Sequence, residues 1–137
     1  MRVRLVLSAV IVGLGLAPIL SAQDAAKVDP KHYTVVSEND QVRILKVHYG
    51  PHEKSVMHSH PAGVAVFLTD GKIHFAFPDG KTLDSSVKAG EAIYTPAVTH
   101  LPEDQGDKPF ELVLVELKGK AGPAQAAAAK PSTKTDK

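Results

Sequence analysis

The chain has no cysteine. Disulfides, thiolate metal sites and a lipid anchor through an N-terminal cysteine are therefore excluded. Any metal held here must take histidine, carboxylate or backbone oxygen ligands, which removes zinc-finger and iron–sulfur sites. Arginine is nearly as scarce: beyond Arg4 there is only Arg43. A nucleic-acid binder needs clustered basic side chains to release counterions, whereas residues 23–118 carry 10 basic against 14 acidic groups. A nucleic-acid partner is excluded on that ground. The sequence also has no glycine-rich phosphate loop, no serine nucleophile elbow and no paired-carboxylate arrangement. Between residues 32 and 118 it has no helical stripe of useful length.

The two ends differ from the middle. Residues 1–22 have the layout of a secretory signal peptide: Arg2 and Arg4, then an uncharged apolar run from Leu5 to Leu20, then the small pair Ser21-Ala22. Gly13, Gly15 and Pro18 interrupt the run, which is short for a membrane span of ~20 residues. Cleavage near Ala22 is expected, with export to the periplasm or outside the cell and no stable membrane anchor afterwards. Arg2 and Arg4 are not adjacent, so a twin-arginine signal is not supported. Residues 23–31 are small and polar and predict a leader that packs loosely if at all. Residues 119–137 are rich in Ala, Pro and Lys and offer too little apolar surface to offset ordering entropy, so a disordered tail is expected. An exported domain without disulfides relies on its core alone.

The stretch 32–118 reads as a single all-β domain. Strand-like composition begins at Tyr33-Thr34-Val35-Val36 and turns at Glu38-Asn39-Asp40. Gln41 to Tyr49 predicts a long strand, with Val42 and Ile44 on one face and Leu45, Val47 and Tyr49 on the other. Val64 to Thr69 is almost continuously apolar, as in a strand buried on both sides. Asp70-Gly71 and Asp79-Gly80 are hairpin signals around Lys72 to Phe77, with a return through Lys81-Thr82-Leu83. Gly90 launches Glu91 to Thr95, and Pro96 ends it. Asp104 to Pro109 is turn-rich, and Phe110 to Leu117 closes the domain as a strand. Short strands separated by Gly, Asp and Pro turns predict a β-sandwich or barrel.

The chemistry-bearing stretch is His58-Ser59-His60. Histidines at i and i+2 on an extended backbone point to one face, where both can reach one ion at ~2.0–2.1 Å if it is zinc. Gly50 precedes the pair and Gly71 follows it. A second stretch runs from Gly90 through Pro96 to His100. Two such motifs in this order, on β-type sequence, resemble the cupin superfamily. The resemblance covers residues 32–118 and implies a double-stranded β-helix with jelly-roll topology. It further implies that His58, His60 and His100 point into the barrel and share a divalent transition metal (Zn, Fe, Ni, Cu or Mn).

The sequence departs from that family pattern in three places. Gly50 lies farther from His58 than usual, and Pro96 to His100 lacks a glycine and is one residue short. The glutamate of the first motif would fall on Val64 or Ala65. Without it, three neutral imidazoles leave the full charge of a divalent ion uncancelled and more coordination positions open. Glu53, Glu103 and Asp104 are candidates to replace that carboxylate from neighbouring turns. Tyr94, just before the motif proline, is a candidate hydrogen-bond donor or acid. His48 and His52 suit surface positions, and His74 alternates with Ile73 and Phe75 on a face that periodicity cannot assign.

Two functional readings stand side by side. One is a metal-dependent oxygenase, isomerase or hydrolase acting on a small, anionic or hydroxylated molecule. The other is a non-catalytic module binding a small molecule or metal. Edge strands leave a homodimer open. Because histidine ligates only when neutral, metal affinity is expected to fall below about pH 6.5.

Overall fold

A computed structural model describes residues 23–119; the signal-peptide stretch 1–22 and the tail from residue 120 lie outside the described residues. One helical turn, α1 (Ala25–Val28), is followed by nine strands: β1 (Tyr33–Glu38), β2 (Val42–Tyr49), β3 (His58–His60), β4 (Gly63–Phe67), β5 (Gly71–Ala76), β6 (Thr82–Val87), β7 (Ala92–Thr95), β8 (Val98–Asp104) and β9 (Phe110–Leu117). They form a five-stranded sheet, β1-β2-β9-β4-β7, and a four-stranded sheet, β3-β8-β5-β6, and every strand pairing is antiparallel. Two antiparallel sheets with their apolar faces together form the jelly-roll architecture.

Alternation builds the core. Along β2, Leu45, Val47 and Tyr49 are buried while Lys46 and His48 are exposed. Strand β9 lies between β2 and β4 and brings Leu114 opposite both Leu45 and Ala65. From the facing sheet, Ile73 is 3 % exposed, and it meets Phe67, Phe110 and Val87 in one cluster. The β1–β2 hairpin is closed by Asn39, whose Oδ1 accepts from the backbone N–H groups of Gln41 and Val42 at 2.8 and 2.9 Å.

Three expectations need correcting, and one strand was not foreseen: Val98 to Asp104 is a full strand through Pro102, whose carbonyl accepts from Ser55 N at 3.0 Å. Asp70-Gly71 is no hairpin turn, because β4 and β5 belong to different sheets. It is a corner, held by Asp70 accepting from Lys88 Nζ and Ala89 N. Strand β4 buries only one face: Ala65 and Phe67 are buried, Val64 and Val66 are half-buried, and Leu68 beyond it is exposed.

The third correction concerns the leader, which is docked rather than loose. Ala25 is fully buried, Asp24 caps α1 through Ala26 N, and Ser59 N donates to Gln23 O at 2.7 Å. Small polar residues hold their place here because the edge of β3 and the end of the barrel supply partners for their backbone groups.

Candidate metal centre

Strands β3 and β8 pair in a register that sets His58 directly opposite His100, with His60 two residues farther along. The period of two then turns all three rings to the inner face. Ser59 points the other way and bonds Thr99 through their hydroxyls at 2.7 Å. The ring centroids are 4.8 Å (58–60), 5.1 Å (58–100) and 5.5 Å (60–100) apart, with planes at 80–86° to one another. One ligand nitrogen from each lies within 4.8 Å of the others. Modest ring movement brings such a set onto a common cation.

The surroundings fix which nitrogens are free. His58 donates from Nδ1 to Val56 O at 2.8 Å, and His60 donates from Nδ1 to a carboxylate oxygen of Glu116 at 2.7 Å. With the proton on Nδ1, each ring keeps its Nε2 lone pair. The Nε2 atoms of His58 and His100 are buried without any hydrogen-bond partner. Orphaned buried imidazole nitrogens carry a desolvation penalty that a cation removes, so the site's chemistry fits a metal. Burial first, with the His60 charge behind it, pulls the His58 pKa down to about 4. Burial, then His58 and His60, takes His100 to about 3. Both rings are therefore neutral, the ligating form, in neutral solution.

The other candidates lie elsewhere. Tyr94 is 52 % exposed on the outer face of β7, while its neighbours Ile93 and Thr95 line the interior. The tyrosine packed against the rings is Tyr33, whose ring lies 4.7 Å from that of His58 and whose hydroxyl meets Tyr49 OH at 2.8 Å. Burial raises its pKa well above the usual range, so it keeps its proton. Glu103 faces outward, accepting from Gln105 and pairing with Lys54 at 3.6 Å. Asp104 is fully buried but does not belong to the histidine group. Glu53 ties down Lys31, His32 and Gly50 N; the lysine bond, then the backbone bond, lowers its pKa to about 2. His48, His52 and His74 pair with Glu111, Asp107 and Asp84 near the surface.

Sequence reasoning missed four buried polar residues, Asp29, His32, Ser55 and Glu116, of which two matter most here. Glu116 is 1 % exposed and accepts from both His60 and Arg43. Burial pushes its carboxyl pKa up, but those two bonds outweigh it and hold the group below the ordinary range. His32 is 4 % exposed, bridges Asp29 and Glu53, and stacks on Tyr49 at 4.2 Å. The only sequence signal for Glu116 was a lone acid at an inward-phase position of a β-prone run.

Beside the rings lies a cavity of about 110 Å³, reached by His60 and His100 and walled largely by aliphatic and aromatic side chains such as Phe67, Ile73, Phe75 and Leu114. No charged side chain of the described residues lines it. Ala65, where the family's glutamate can fall, contributes a methyl to this wall, whereas Val64 is turned outward.

Comparison with known proteins agrees with this architecture. A cupin domain from Bordetella pertussis Tohama I is 26 % identical, with a TM-score of 0.59 over 64 % of this chain and 92 % of that one. A double-stranded β-helix protein from Klebsiella pneumoniae is 25 % identical, with a TM-score of 0.52 over 66 % and 78 %. A cupin family protein from Methanocaldococcus jannaschii, 16 % identical with a TM-score of 0.51 over 62 % and 77 %, shares the fold. No curated protein matches the sequence. The sequence model of the cupin domain matches residues 45–116, from β2 to the end of β9. With more than half of its length matched and its sheets arranged as in those relatives, the chain belongs to the cupin domain family.

Proposed function

We propose that this is an exported cupin in which His58, His60 and His100 hold one divalent transition metal and present it to a small molecule. The observation that carries the reading is the pair of buried, unpartnered Nε2 atoms on His58 and His100, residues that stand opposite each other on β3 and β8. A bound ion supplies Lewis acidity, or redox chemistry if it is iron or copper. The chain contributes the rest. Val56 O and Glu116 fix the proton on Nδ1 of two rings and aim Nε2 at the common point. Phe75, stacked on His100 at 5.1 Å, holds that ring in place. The apolar wall excludes water and selects what enters.

The wall also narrows the substrate. A charge far from the ion would find no counter-charge in the cavity and would lose its hydration. The cavity therefore suits a compact molecule with an apolar body and one coordinating head, such as an enolate, carboxylate or hydroxyl. It is small against the ~300–1,000 Å³ clefts that take drug-sized ligands. Of oxygenase, isomerase and hydrolase, the site suits an oxygenase best. The wall offers no carboxylate for general acid–base work, and Tyr33 is engaged by Tyr49. Export rests on Arg2, Arg4 and the apolar run to Leu20.

The test is metal analysis of the purified protein and of His58→Ala, followed by oxygen uptake with small diketones and thiols. One ion per chain in the parent and none in the variant is expected, with uptake only by the iron-loaded parent. Metal retention by the variant would sink the centre. Ligand binding without uptake would leave a binding module.

A further inference from the structure

We propose that Glu116 is a positioning residue for His60 and that Asp24, acting through Arg43, holds Glu116 in turn. The segment ahead of β1 then becomes a working part of the centre. The inference rests on the metal-binding reading above, but it concerns the chain's own hydrogen bonds. His60 Nδ1 lies 2.7 Å from Glu116 Oε1, and a carboxylate can only accept there, so the ring proton stays on Nδ1. The other oxygen, Oε2, takes Arg43 Nε and Nη2, each at 2.6 Å. Arg43 Nη1 reaches Asp24 Oδ2 at 2.6 Å. Asp24 Oδ1 is used separately, accepting from Ala26 N at 3.0 Å. Each carboxylate thus has its two oxygens on different tasks and cannot rotate without breaking one.

Strand register explains why these groups meet. Arg43 and Gly63 both lie opposite Glu116, one from each neighbouring strand. A β-carbon on Gly63 would stand 2.5 Å from Val115 O, so only glycine lets β4 approach this closely. Asp24 reaches the same place because it bridges Ser59, the residue between the two histidines of β3. His58 takes no part in the relay: its Nδ1 proton is held chiefly by a backbone carbonyl, Val56 O. The carboxylate missing from inside the coordination sphere thus has a counterpart one bond outside it, on the last strand.

The test uses the full chain. Long-range proton–nitrogen correlation on the metal-free protein reads the His60 tautomer, with His58 as internal control. Zinc affinity is read by chelator competition. In Glu116→Gln, His60 is expected to populate both tautomers while His58 does not change, and zinc affinity is expected to fall about 10- to 100-fold. Asp24→Asn, which keeps a competent helix cap, is expected to move both readouts the same way by less. If both variants keep the His60 proton on Nδ1 and bind zinc like the parent, the relay is purely structural and the proposal is overturned. Should Glu116→Gln fail to fold, Asp24→Asn decides alone. Should the parent take up no zinc, the metal reading fails, and an unchanged tautomer in Glu116→Gln still overturns this one.

Discussion

Burial sets the charge state of single side chains in and near the centre, and its direction can be worked out for each. An ordinary histidine titrates near 6.5, whereas His58 and His100 are held to about 4 and about 3 in the fold. The folded metal-free protein therefore binds fewer protons than the unfolded chain in mild acid. Stability from the neutral rings is complete above about 6.5 and is lost as pH falls toward the folded values. Urea midpoints of the metal-free protein should drop steadily from neutrality to about pH 4, and a flat profile would contradict the burial assigned to these rings.

Asp104 has the opposite sign. It is fully buried, one oxygen accepts from Gly106 N at 2.8 Å, and the other has no partner. Burial raises its pKa, so the ionised form is the penalised one. Asp104→Asn should stabilise the protein by about 1 kcal/mol at neutral pH. The gain should fade as pH falls through the raised pKa, where the native carboxyl is itself neutral. Zinc affinity should not change. A loss would make Asp104 the additional ligand after all.

At the scale of strands, alternation decides which substitution reaches the site. Ala65 points into the cavity and Val64 away from it, although they are neighbours on β4. Ala65→Glu should therefore place a carboxylate beside the histidines, tightening zinc binding and obstructing small ligands, at an overpacking cost of about 1–3 kcal/mol. Val64→Glu should do neither. Equal effects from the two, measured by zinc competition, would mean that the register of β4 is wrong. The same rule of two made β2, β5 and β9 legible in the sequence, because each has apolar residues on every second position. It could not reveal β8, where Pro102 interrupts the pattern, nor the sheet-to-sheet corner at Asp70-Gly71, which shares its residues with a hairpin. Periodicity also says which residues share a face without saying which face is inward. That is why Tyr94 was singled out and Tyr33 was passed over.

Across the whole molecule, the legible part of the centre was the part carried by short motifs. His58-Ser59-His60 and the stretch from Gly90 to His100 name three rings, and the fold brings them together. What surrounds them comes from distant sequence. Glu116 meets His60 across 56 residues and Arg43 across 73: the β2-β9 pairing sets Arg43 beside Glu116, and β3 of the other sheet brings His60 to it. The docked leader is of the same kind, since Ala25 and Asp24 acquire partners only once the barrel end exists. The cavity's apolar character likewise belongs to both sheets at once. The most direct test of the account is a crystal soaked in zinc and measured above and below the zinc absorption edge. A single anomalous peak within about 2.0–2.1 Å of Nε2 of His58, His60 and His100 is expected. A peak at the surface histidines alone, or no peak while the three rings stay in place, would contradict it.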